Sequence, residues 1–333
     1  MTRPLAAAAA GLTLAALLPF AVPAYFVDIL SRVLVFAMLA MGLNLLAGYA
    51  GLPSLGQAAF MATGAYTAAL LIRKLEVGFA AASLAGVLLA AAVGAVFGLI
   101  ALRARGATFL LITLALAQSV WAVAFTWRSL TRGDDGLGSI PRPELGWLPW
   151  PMADARAYYF LVLIVFLALL AAFAVLVRSP FGLALQGIRD NEQRMRSLGY
   201  NTWLYLYTAF IIAAGYAGVA GVLRAYLVGA VVPGWSQVDP SAEALLMVIM
   251  GGPGTVIGPL VGAAIIEPVA EMANLFTRHW PLVLGALYVV VILGAPEGIV
   301  GWLRRRLPAR ASRPAASERP SEGLAAAAPG EAI

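Results

Sequence analysis

The chain has no cysteine and a single histidine, His279. Disulfides, thiol catalysis and cysteine-based metal centres are thereby excluded, and so is a zinc site built on several histidines. Charge is scarce as well. Asp, Glu, Lys and Arg make up 11% of the 333 residues, where soluble domains carry about 25%. Only one of the 22 basic residues is lysine, Lys74. Missing too are a GxxxxGK[ST] phosphate loop, a GxSxG elbow and an HExxH helix. No catalytic residue, metal ligand or cofactor is therefore assigned to this chain, and chemical energy must come from another one.

What is plentiful is apolar sequence: 62% of residues are hydrophobic and the mean hydropathy is +0.89. Apolar windows near 20 residues recur along nearly the whole length, the mark of an all-α, polytopic helical membrane protein. The runs are continuous, whereas a membrane β-barrel alternates in ~10-residue pieces. Spans are expected near 29–48, 56–72, 78–102, 107–127, 157–177, 204–230, 256–276 and 281–302. An earlier one lies within 1–24. Arg3, the Ala/Leu run and Val22-Pro23-Ala24 also suit a signal peptide, but apolar spans follow at once, so an uncleaved span is expected. The run 242–250 has nine residues, too few to cross ~30 Å at about 1.5 Å per residue. It is expected as a half-helix, or as part of a crossing completed by the glycine turn after it. The total is then about ten transmembrane segments, short or broken ones included, with both termini on one side.

Orientation follows from the basic residues. With the N-terminus inside, the inner segments hold Arg3, Arg103, Arg105, Arg178, Arg189, Arg194, Arg196 and Arg304 to Arg306, besides the arginines of the tail. The outer segments hold Arg32, Arg73, Lys74, Arg128, Arg132, Arg142, Arg156 and Arg278. The inward bias is modest, and it puts 179–201 and both termini in the cytoplasm of a bacterial inner membrane. Trp147 and Trp150 suit an outer interfacial belt. The net charge of +6 includes Arg304 to Arg306 just ahead of the C-terminal tail, which favours anionic lipid over nucleic acid as its neighbour. Residues 308–333 are mostly Ala, Pro, Ser, Arg and Glu, without aromatics, and read as a disordered cytoplasmic tail behind a 1–307 membrane domain.

The longest polar run between two long apolar segments is SPFGLALQGIRDNEQRMRSLGYN, 179–201. Ser179 is placed to cap a short helix with Pro180 at its first position. Asp190 or Asn191 is placed to cap a second, with Glu192 in its first turn and Gly199 to end it. A simple turn would need only a few residues; two compact polar helices suit a grip by another protein.

Four stretches together resemble the permease subunits of branched-chain amino acid ABC importers, the LivM/LivH group. They are GLNLLAGYAGLPSLGQAAFMATGAYTAAL (42–70), ATFLLITLALAQSVWAVAFTWRSLTRGDDGLGSIPRP (107–143), the 179–201 run, and SAEALLMVIMGGPGTVIGPLVGAAI (241–265). The 179–201 run looks more like the LivM-type half. It departs from the family at Gln193-Arg194-Met195-Arg196, and the first stretch departs at Pro53 and Gln57. The resemblance implies a sister permease, two cytoplasmic ATPase subunits and a periplasmic substrate-binding protein as partners. It implies that the 179–201 loop docks in a groove of the ATPase, with Arg189, Asp190, Asn191, Glu192, Arg194, Arg196 and Gly199 as coupling residues. Branched-chain or related amino acids are the implied cargo, with urea or short amides as alternatives.

The residues themselves add a translocation path. Glycines and prolines around 48–56 and 251–262 break two membrane segments, and broken backbone inside a bilayer must face protein or water. Close helix packing by small residues explains most of the other glycines, Gly215, Gly218 and Gly221 among them. Asn44, Gln57, Gln118, Glu243, Gly251 and Gly252 are assigned to the path. Charges in spans cost roughly 2.5–3.5 kcal/mol at the midplane, so Arg224, Glu243, Glu267 and Glu271 should face the interior or an interface. Glu267 and Glu271, one turn apart, are expected to face Arg224 as a salt bridge. A secondary transporter coupled to ions through these glutamates is the rival. Gly133-Asp134-Asp135-Gly136 lacks the spacing and closing glutamate of a calcium loop; it reads as a tight turn, with a contact to an external binding protein as the functional alternative.

Overall fold

The computed structural model describes residues 13, 15–143, 154–276, 280–294 and 298–306. Trp147, Trp150, Arg278, His279 and the 308–333 tail lie outside them, as do residues 1–12 of the first expected span, which is helical over 15–21. The main helices are α1 (Ala24–Asn44, continued by a π turn, Leu45–Tyr49), α2 (Gln57–Leu75), α3 (Phe79–Ala101), α4 (Ala107–Thr126), α5 (Ala155–Arg178), α6 (Pro180–Asp190), α7 (Glu192–Ser197), α8 (Thr202–Val228), α9 (Val238–Gly251), α10 (Gly258–Phe276), α11 (Trp280–Gly294) and α12 (Gly298–Arg306). Among the described residues no strand forms; Leu137 and Val231 make one isolated antiparallel bridge.

Among the described residues six helices are long and apolar enough to cross a membrane: α1 with its π turn, α3, α4, α5, α8 and α10. They fall where continuous apolar runs were expected. α2 is also 19 residues long, about 28 Å at 1.5 Å per residue, but Thr63, Thr67, Arg73 and Lys74 dilute its apolar character. The hydroxyls of Thr63 and Thr67 donate to the Ala59 and Thr63 carbonyls, both at 2.7 Å, so they cost the interior nothing unsatisfied. The 242–250 run becomes α9, 14 residues or about 21 Å, shorter than a full crossing. The expected span 281–302 is divided into α11 and α12, with 295–297 outside the described residues.

Contacts between helix ends sort the chain into two faces. Lys74 Nζ donates to the Ser129 carbonyl at 3.3 Å, and Arg142 pairs with Asp28 at 3.5 Å. These place the end of α2, the end of α4 and the start of α1 together, on what is called the far face below. Arg105, in the α3–α4 turn, pairs with Glu192 and so joins the opposite face, which carries α6 and α7. On the far face, Gly133–Asp135 forms the expected tight turn.

The interior is built on α1, α2 and α8. Of the apolar stretch of α1, 89% is buried, and of α8, 67%; α3, α4, α5 and α10 are 22–28% buried, which leaves apolar flanks for lipid or for another chain. Small residues let the inner backbones touch. A side chain at Gly42 would strike the Ala213 carbonyl, one at Gly64 the backbone of Gly218, and one at Gly221 the Met61 carbonyl. Gly215 differs from the expectation: no atom outside its own helix lies within 4 Å of an added Cβ. Each step of three residues turns a helix by about 60°, which carries Gly215 off the packed side. Phe60 fills the space between α2, α3 and α8 with ring contacts to Phe97 at 5.7 Å and Phe210 at 5.6 Å. Tyr158 and Tyr216 donate to the Leu223 and Leu169 carbonyls and pin α5 to α8.

Candidate functional site

The two glycine-rich breaks meet. α1 loosens into the π turn, and the chain runs on without regular structure until α2 begins at Gln57. α9 ends at Gly251, and positive φ at Gly252 (+114°) and Gly254 (+73°) turns the chain into α10, a backbone open to glycine at little cost. Asn44, the last residue of α1, is fully buried. Its amide donates to the Thr255 carbonyl at 2.8 Å and accepts from the Gly254 N–H at 2.9 Å. One side chain thus satisfies a donor and an acceptor of the broken backbone and staples the two breaks together. Other freed amides find side chains as well: Leu55 donates to Thr113 at 3.1 Å, Gly56 to Ser54 at 3.1 Å and Ala58 to Ser241 at 2.8 Å. Irregular backbone at this depth persists because such partners are built in. Gly251 packs on Gly258, and Gly262 on Met247, too closely for any Cβ.

Next to this node lie the polar helices. The Ser179 hydroxyl donates back to the Leu176 carbonyl at 2.6 Å, so it does not cap α6 as expected; it completes the end of α5 instead. Of the two candidate caps for α7, Asn191 serves, its side chain accepting from the Arg194 N–H at 2.9 Å. Gly199, φ +87°, ends the helix. Its N–H donates to the Arg196 carbonyl at 2.9 Å, and Tyr200 N–H donates to the Met195 carbonyl at 3.1 Å, a Schellman closure.

Glu192 is held by three partners. Arg105 donates from Nε at 3.1 Å and Nη2 at 2.9 Å, Arg196 donates at 2.8 Å and Thr202 at 3.1 Å. Burial opposes its charged form, but the hydrogen bonds and charge of Arg105, helped by Arg196 and Thr202, prevail and hold the carboxyl below the usual range. The pairing locks α7 to the α3–α4 turn and to the start of α8. Arg189 points the other way. Its Nη1 donates to the Gly48 carbonyl at 2.6 Å, while Nε and Nη2 reach Asp190 at 3.2 Å. Its stem covers Gly51, and Nη1 also lies beside Gly254. Asp190, Asn191, Gln193, Arg194 and Arg196 stay exposed, and Leu198 and Tyr200 are exposed with them.

A second cluster lies between α1, α8, α9 and α10, toward the far face. It surrounds a cavity of about 360 Å³ lined by Arg32, Arg224, Glu243, Glu267 and Glu271 together with apolar walls. Glu271 pairs with Arg32 at 2.6 Å and accepts from Tyr25 at 3.0 Å, not with Arg224 as expected, because its end of α10 faces α1. The Arg224 guanidinium lies between Phe36 and Trp235, 4.9 and 4.2 Å from their ring centres.

Comparison with known proteins bears directly on these features. Residues 25–293 match the family model described as "Branched-chain amino acid transport system / permease component". The chain belongs to this permease family. It is 32% identical to the high-affinity branched-chain amino acid transport system permease protein LivM of Escherichia coli K12, over 89% of this chain and 75% of that one. It is 25% identical to LivH of the same organism, over 80% and 91%. The probable LivM of Methanocaldococcus jannaschii is 23% identical over 78% and 85%. No solved structure gives a significant match. Between the two Escherichia coli proteins the higher identity is to LivM, in agreement with the LivM-type character of 179–201. The permease is thus a multi-pass membrane transport subunit.

Of the path residues expected in the permease, Asn44, Gly251 and Gly252 meet at the break node. Glu243 lines the cavity. Gln57 is fully buried beside the node, and neither amide atom has a hydrogen-bond partner among the described residues. Gln118 is half-buried on α4 and belongs to neither cluster. Sequence reasoning missed Arg105 as the partner of Glu192, and Ser241 and Thr255 as partners of freed backbone. It also missed the Phe36–Arg224–Trp235 sandwich. Their signals are single polar or aromatic residues far apart in the chain, which no local pattern links.

Proposed function

We propose that this permease is one membrane half of an ATP-binding-cassette importer in the bacterial inner membrane, carrying branched-chain or related amino acids. A sister permease completes the path, two ATPase subunits bind the α6–α7 face from the cytoplasm, and a periplasmic binding protein delivers cargo to the far face. The observation that carries the proposal is the Arg189–Gly48 hydrogen bond. It ties an exposed polar helix pair directly to the point where both broken membrane segments meet.

The mechanism follows from that connection. The exposed Asp190, Gln193, Arg194, Leu198 and Tyr200 offer the mixed charged and apolar surface that a protein groove recognises. The Glu192 clamp keeps α7 from yielding when the groove moves, so motion passes into α6 and through Arg189 to the breaks. There the bundle has two ways to pack, and closure of the ATPase pair on ATP shifts the balance between outward- and inward-open states. Hydrolysis itself takes place on the partner chains.

The test is a pull-down of the tagged chain from solubilised membrane, wild type against an Asp190→Arg, Arg194→Glu double variant. An ATPase and a second permease should accompany wild type, and the ATPase alone should be lost from the variant. Recovery of the wild-type chain without either partner, together with uptake that survives ATPase loss and collapses with the proton gradient, would favour ion coupling through the glutamates.

A further inference from the structure

The cavity between α1, α8, α9 and α10 holds charges of both signs that, among the described residues, form no ion pair with one another: Arg224, Glu243 and Glu267. Glu243, on α9, and Glu267, on α10, make no hydrogen bond and no ion pair within 4 Å among the described residues. Arg224 comes within 4 Å of no carboxylate there, and its buried Nη1 has no hydrogen-bond partner. A buried guanidinium N–H left unmade is costly, and two nearby carboxylates that do not close on it leave a gap between them. Arg32 and Glu271 at the rim neutralise each other. Phe36, Val228, Trp235 and Ala270 supply apolar wall. The volume, about 360 Å³, is at the small end of ligand pockets.

We propose that this cavity is an intramembrane binding site for a zwitterionic α-amino acid with an apolar side chain, its carboxylate on Arg224, its ammonium between Glu243 and Glu267, and its side chain against Phe36 and Val228. The inference rests on the importer reading and gives it a station on the path. A simple cation would leave the Arg224 Nη1 unmet, and a simple anion would leave both carboxylates unmet. A metal ion is disfavoured as well, since no group of three acidic or imidazole side chains among the described residues is placed to hold one. Arginine suits a carboxylate because its planar fork can donate twice.

Occupancy also has a route to the α6 face. The ligand bridges α8 to the α9–α10 hairpin. That hairpin's turn, 252–257, is the segment stapled by Asn44 and flanked by Arg189. Drawing α9 and α10 toward α8 therefore loads the junction on which the polar helices act.

The chain has no cysteine, which makes a reporter simple. Asn274→Cys places one thiol at the exposed rim of the cavity, and its modification by a charged methanethiosulfonate is followed by the mass of this chain within the complete complex. Millimolar L-leucine should slow labelling roughly threefold or more, as mass action requires at a few times Kd. Isoamylamine, which lacks the carboxylate, 4-methylpentanoate, which lacks the amine, and urea should not. Adding Arg224→Met, or Glu267→Gln if that variant does not assemble, should abolish protection by leucine and leave labelling without leucine at its former rate. ATP-driven leucine uptake by the wild-type complex is measured alongside. Uptake without protection overturns the site and leaves the importer reading standing, whereas neither uptake nor protection overturns both. Protection by urea in place of leucine, or protection that survives both variants, overturns the zwitterion assignment.

Discussion

Asn44 uses both ends of its amide inside the bundle, and this makes it the most sensitive single residue at the break node. Asn44→Ala leaves the half-buried Gly254 N–H and Thr255 carbonyl without this partner, at a cost of up to about 1–3 kcal/mol each where water does not replace it. Asn44→Asp keeps the acceptor but turns a negative oxygen toward the Thr255 carbonyl. Both variants should lower the melting temperature of the purified complex and reduce uptake, and unchanged melting would show that the staple contributes nothing. Glu192 is sensitive in another way. Its folded-state carboxyl titrates below the ordinary value of about 4.3, so the clamp's contribution is complete above that value and lost as pH falls through the folded-state one. The stability gap between wild type and Glu192→Gln should therefore be flat from neutral pH down to about 5 and close in stronger acid. A gap that widens on acidification would contradict the clamp. Glu192→Arg adds a third guanidinium beside Arg105 and Arg196 and should abolish uptake while the chain still inserts.

At the scale of the element, α7 is rigid because both of its ends are closed, by Asn191 and by Gly199. Proline cannot adopt the positive φ of Gly199 or supply its N–H to the Arg196 carbonyl. Gly199→Pro should thus remove transport at normal expression and insertion; normal uptake would sink the coupling role of the loop. The punctuation of these helices was legible in the sequence, since caps, glycine stops and apolar runs are local. So were the two broken segments and the half-length α9, because each is written as a length and a glycine cluster. Lateral pairing was not legible. Glu192 finds Arg105 across 87 positions and Asn44 finds Thr255 across 211, and such meetings depend on which helix faces which. For the same reason Glu271 was expected on Arg224 and stands on Arg32. Ser179 looked like a cap by type, yet the open carbonyls at the end of α5 claimed its hydroxyl.

At the scale of the whole molecule, the permease divides its labour by depth. Exposed polar helices lie on one face, the breaks lie next to them, and the charged cavity lies toward the other face. The sequence beyond α12 adds no apolar run to this arrangement, and truncation after Arg306 should leave insertion and uptake unchanged; loss of either would give the tail a role. The link on which the account depends is Arg189, which joins α6 to the breaks through Gly48 while its exposed edge pairs with Asp190. The decisive measurement takes proteoliposomes holding the complete complex and its binding protein, and follows ATP hydrolysis and leucine uptake together, wild type against Arg189→Met. The ATPase should still dock and turn over in the variant, while uptake falls about tenfold or more, the loss expected when an interaction of roughly 1.4 kcal/mol or more is removed. Uptake per ATP equal to that of wild type would contradict the account.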